Sequence, residues 1–128
     1  MSFIFDKALE LRDIADGAET ADVAEAGLAL DVINAGNFKC VVHVSALDTA
    51  NADETYAVIV ETDSVAAFSD TPVEVGRVAV TGTGVYEVLL SGEGIAKLDP
   101  DAAAIRVSLD VAGTTPSITY GAFADAIR

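Results

Sequence analysis

Tryptophan is absent from this sequence, and cysteine, methionine and histidine occur once each. The lone cysteine, Cys40, has no partner for an intrachain disulfide. With the lone histidine, His43, it is too little for a Cys/His metal cluster. Proline is scarce, at 3 positions, and gathers into no linker. Basic residues number 7 against 21 acids, a formal net charge of −14. A nucleic-acid binder needs a basic footprint to neutralise phosphates, and this chain has none. An anionic membrane surface repels it for the same reason. The longest unbroken apolar run is the five residues from Tyr56 to Val60, far short of the roughly 20 that cross a bilayer as a helix. The opening Met1-Ser2-Phe3-Ile4-Phe5-Asp6 lacks the charged head and long apolar stretch of a secretory signal. These absences predict a protein kept in a reducing cytosol or assembled there into something larger. Its expected partners are proteins, cations or neutral molecules. High acid content with little lysine also fits a salty habitat.

What is present is a chain of 128 residues, 52% apolar. That is enough for one compact domain with a sizeable core. Three stretches differ in character. Residues 1–27 are rich in Ala, Asp and Glu and read as an N-terminal arm and acidic segment of the same domain. Residues 28–98 carry alternating β-branched segments, and residues 99–128 repeat that pattern, so 28–128 reads as a β-sandwich domain. Residues 38–45 alternate with period two: Phe38, Cys40, Val42 and Val44 face the core, Lys39, His43 and Ser45 face out, and Val41 breaks the rule. Residues 56–61 place Tyr56, Val58 and Val60 on one face. Residues 78–81 and 86–90 read as two strands joined by Gly82-Thr83-Gly84, a hairpin-like signal. Residues 105–111 alternate most cleanly, with Val107 and Leu109 inward, and residues 118–123 complete the set. Weaker strand candidates are 28–33 and 73–75.

Turn chemistry fills the gaps, at residues 35–37, 48–53, 69–72, 91–94, 99–101 and 113–116. The result is about eight short strands without long helical periods between them. That pattern predicts an all-β antiparallel sandwich of jelly-roll type with an N-terminal arm. Residues 6–14 fit a short helix or a strand. The Ala-rich residues 20–30 are expected to form a helical turn or two.

No catalytic constellation emerges. His43 falls on the polar face of its strand, and no Gly-x-Ser-x-Gly elbow accompanies it. Cys40 falls on the apolar face, where a thiol behaves as a small hydrophobe. Asp48, Asp53 and Glu54, then Glu61 and Asp63, then Asp99 and Asp101 are close acid sets, but none matches an EF-hand loop. Gly82-Thr83-Gly84 is too short for a phosphate loop, and Ser91-Gly92-Glu93-Gly94 carries an acid that repels phosphate. The expectation is therefore no enzyme, no cofactor and no metal. Phe3-Ile4-Phe5 stands out, because three large apolar residues there fit no strand alternation. Phe3, Ile4 and Phe5 are the candidate interface residues, either an arm docking on a neighbouring subunit or a segment packing back on the domain's own sandwich.

The order of motifs carries a resemblance. Asp6-Lys7-Ala8-Leu9-Glu10-Leu11-Arg12-Asp13, then Thr20-Ala21, then Leu30-Asp31-Val32 resembles the opening of small capsid cement, or decoration, proteins of tailed bacteriophages. Gly84-Val85-Tyr86-Glu87-Val88-Leu89-Leu90, Ala104-Ile105-Arg106-Val107 and a terminal strand after Gly113 are similar to that family's second half. Residues 22–28 depart from the family, being longer and more acidic. The resemblance implies a jelly-roll fold and a small homo-oligomer, dimer or trimer. It implies attachment to the major capsid protein on the virion's exterior after assembly in the host cytoplasm, and no catalytic residues. The alternative from the residues alone is a small β-sandwich module binding carbohydrate or a cation. A cupin-like metal enzyme needs more histidines than one.

Overall fold

The structure is a computed structural model, described here for residues 7–33 and 36–127. The candidate interface residues Phe3, Ile4 and Phe5 lie outside the described residues.

Among the described residues, ten strands and one α-helix follow in chain order. They are β1 (Glu10–Arg12), β2 (Ala18–Glu19), β3 (Val23–Ala24), β4 (Leu28–Ala29), β5 (Asn37–Leu47), β6 (Thr55–Asp63), β7 (Val73–Val80), β8 (Gly84–Ser91), α1 (Gly92–Leu98), β9 (Ala104–Ala112) and β10 (Ile118–Ile127). Short 3-10 turns occupy Lys7–Leu9, Ile14–Asp16 and Leu30–Val32. The strands form two antiparallel sheets. The first runs β1-β10-β5-β8, with β2 also on β10; the second runs β3-β9-β6-β7, with β4 also on β9. The chain is thus all-β, an antiparallel two-sheet sandwich. Among the described residues no helix is long and apolar enough to cross a membrane.

Alternation decides what the sandwich buries. Val42, Val44, Val58, Val60, Val107 and Leu109 are all in the core, joined by Tyr56, Ile105, Ile118 and Tyr120. Each buried aliphatic side chain contributes roughly 1.5–3 kcal/mol relative to exposure. Val41, the exception to alternation, faces away from the core yet is 1% exposed. It lies between Phe123 on β10 and Glu87 on β8.

Several expectations need correction. Gly82-Thr83-Gly84 does not close a hairpin, because β7 pairs with β6 and β8 with β5, so the chain crosses between sheets there. The Tyr86 hydroxyl holds the crossing: it accepts from the Thr81 and Gly82 N–H groups and donates to the Gly82 carbonyl. Residues 20–30 form no helix. Their backbone is drawn to β9 instead: β3 and β4 pair with it, Glu25 N–H donates to Val107 O at 3.0 Å, and Leu30 N–H donates to Ala103 O at 2.9 Å. Long-range pairing overrides the helix propensity of alanine. Gly27 is fixed by contact, since a Cβ there would lie 2.4 Å from the Ala66 carbonyl oxygen. Residues 91–94 are not a turn but the start of α1, with Ser91 as N-cap. Residues 10–29 supply one outer edge of each sheet.

Candidate functional site

The residues singled out for chemistry are dispersed, and most of the acids among them are engaged as hydrogen-bond acceptors. Cys40 has no exposed surface, and burial pushes its thiol up to about 12. A thiol so far from ionisation is inert at neutral pH. His43 is exposed on β5, beside a shallow hollow of about 360 Å³ whose lining also includes Glu10, Asp13 and Ile14. Its neighbour Ser45 hydrogen-bonds to the Thr119 carbonyl at 3.5 Å, which is no nucleophile–base pair.

The acid sets serve as internal acceptors. Asp53 accepts from Thr114 N–H and Oγ1, and the Thr114 hydroxyl followed by its amide holds that carboxyl below its ordinary value. Asp63, 1% exposed, accepts from the N–H groups of Ser64, Asp70 and Thr71 and so organises the loop after β6. Thr62 donates to Asp99 at 2.8 Å. Glu61 binds both Arg106, at 3.0 Å, and the Ser108 hydroxyl. Among the described residues no group of three or more His, Cys, Asp or Glu side chains is placed to hold a metal ion.

A buried cluster that the sequence did not signal ties the two sheets. Arg12 on β1 is 4% exposed. It donates to Tyr120 O at 3.0 Å, Gly17 O at 2.9 Å and Glu25 Oε2 at 2.9 Å, and lies 3.3 Å from Glu19. Its guanidinium stacks 4.7 Å from the centroid of the Tyr120 ring. Burial first, and the charge of Glu25 next, raise the Tyr120 hydroxyl above its ordinary range. That hydroxyl is buried without a hydrogen-bond partner. A second guanidinium, Arg106, stacks 4.3 Å from the ring of Phe68. Phe68 adopts φ 53°, a left-handed conformation rare for a bulky residue, and straps the loop after β6 against Gly27. Both clusters hold the fold together. Arg12 also lines the hollow beside His43.

An exposed apolar surface lies at the β8 end of the first sheet. Leu89 is 72% exposed, Val85 51% and Ile127 47%. A hollow of about 360 Å³ runs between Asn37, Leu89, Leu90, Ser91 and Ile127. A sequence signal for it existed: in residues 86–90, Val88 and Leu90 fill the inward positions, so Leu89 is an apolar residue on the outward phase. Compared with known proteins, the chain matches no protein family and no curated sequence.

Proposed function

We propose that this protein is a non-catalytic structural component of a tailed-phage virion. In this reading it binds the outer surface of the capsid, contacts the major capsid protein and cements neighbouring subunits as a small homo-oligomer. The observation that carries the proposal is the strand order. With β1 and β2 read as one outer strand and β3 and β4 as another, two interleaved four-stranded sheets result. That arrangement fits a jelly roll, an architecture found in viral capsid proteins, lectins and cupins. The cement-protein resemblance of the motifs then selects among these uses. Tyr56 and Tyr120 are buried and the Tyr86 hydroxyl is tied to Gly82, which disfavours a sugar-stacking platform. One histidine disfavours a cupin metal site. The acidic balance suits many copies packed on a capsid and held apart from nucleic acid.

Co-sedimentation with capsids of the phage carrying this chain tests the proposal. The expected result is pelleting with capsids that saturates at a fixed ratio of copies to capsid subunits. Protein left wholly in the supernatant across the titration would overturn it.

A further inference from the structure

The exposed edge of the first sheet points to a second copy of this chain. We propose that two copies pair antiparallel through β8 about a two-fold axis, joining their first sheets into one continuous sheet. This stands apart from the capsid reading and would hold without it.

An edge strand presents a row of unpaired N–H and C=O groups, and soluble proteins blunt such edges with Pro, Lys, bulges or short length. β8 carries one charge, Glu87, and none of these devices. It is eight residues long, contains no Pro or Lys, and pairs with β5 without a register shift. The corresponding edge of the second sheet, β7, is defended. Its pairing with β6 contains an irregularity between Val60 and Glu61, which β8 lacks. β8 instead exposes Val85 and Leu89, four residues apart on one face.

Antiparallel pairing about a dyad is self-complementary. Of the two registers with the fullest overlap of β8, centred on Glu87 or on Val88, the one centred on Glu87 matches apolar residues across the axis. It sets Val85 opposite Leu89 of the partner subunit, and Leu89 opposite Val85 of the partner subunit. Two apolar cross-strand pairs then flank the axis. Glu87 meets its own copy at the axis, but each carboxylate already has Lys39 Nζ at 3.2 Å. The charges described around this edge nearly balance, so it does not strongly repel a copy of this same acidic chain. The ionic groups around the edge are Lys39, Glu87, Asp125, Glu93 and Lys97, two bases against three acids. They carry little of the net charge of −14.

Sedimentation equilibrium of the full chain, in salt that screens its net charge, tests the pairing. The expected result is a dimer, with Leu89→Lys and Val85→Lys both monomeric while keeping the parent's circular dichroism and melting temperature. Both positions are exposed in one copy, so neither variant disturbs the core. A double variant, Val85→Cys with Leu89→Cys, is expected to form a disulfide-linked dimer on mild oxidation, Cys40 being buried. A wild-type monomer would overturn the proposal and leave the edge to a strand of some other protein. A trimer would also overturn it, as would a dimer that survives both lysine variants.

Discussion

Val107 has no exposed surface and lies in β9 between Arg106 and Ser108, which point the other way. Val107→Asp would put an unpaired charge in a dry sandwich, so the domain is expected to unfold, at a cost of several kcal/mol. Loss of the cooperative thermal transition checks this; an unchanged melting temperature would refute the assigned face. Positions of this kind were legible in the sequence because polar and apolar residues alternate around them. Arg12 was not legible. It stands in a segment of mixed charged and apolar residues with no clear period, and its partners Tyr120 and Glu25 meet it only after folding. Arg12→Ala strips Glu25 and Glu19 of their cation and is expected to cost about 3 kcal/mol in urea unfolding. Tyr120→Phe removes a hydroxyl that has no partner and keeps the ring under the guanidinium. It is expected to be neutral or slightly stabilising. Equal losses in the two variants would contradict the assignment of the cluster's strength to the guanidinium.

At the scale of elements, α1 is the clearest departure from the sequence reading. Gly92 and Gly94 depress helix propensity and make the segment read as a turn. The Ser91 side chain reverses this by accepting from Gly94 N–H at 3.0 Å, and Glu93 lies in the first turn with Lys97 in the last, as the helix dipole favours. Ser91→Ala is expected to lower stability by about 1 kcal/mol, read as a shift in the urea midpoint without a change in slope. No shift would mean that tertiary contacts alone hold the helix. The long strands β5, β6, β9 and β10 were legible because each carries a two-residue period over many positions. The two-residue strand β3 was not, because only pairing with β9 defines it, while β4 falls within the weaker candidate at 28–33. Local sequence also could not separate a hairpin at residues 82–84 from a crossing between sheets. Both need the same glycines, and the choice belongs to β5 and β6.

For the whole molecule, the governing quantity is the net charge of −14 on a sandwich whose loop acids are largely used as internal acceptors. Calcium, which requires six or more converging oxygens, is therefore expected to leave the melting temperature where EDTA leaves it, once sodium and magnesium controls remove screening. A calcium-specific rise of about ten degrees, several kcal/mol by the usual scaling, would contradict that reading of the acid loops. The central claim concerns where the protein acts, and electron cryo-microscopy of capsids mixed with the purified protein tests it most directly. The account predicts ordered density the size of this sandwich on the outer surface, repeating with the capsid lattice and bridging neighbouring subunits. Bare capsids under saturating protein, or density only inside the shell, would contradict it.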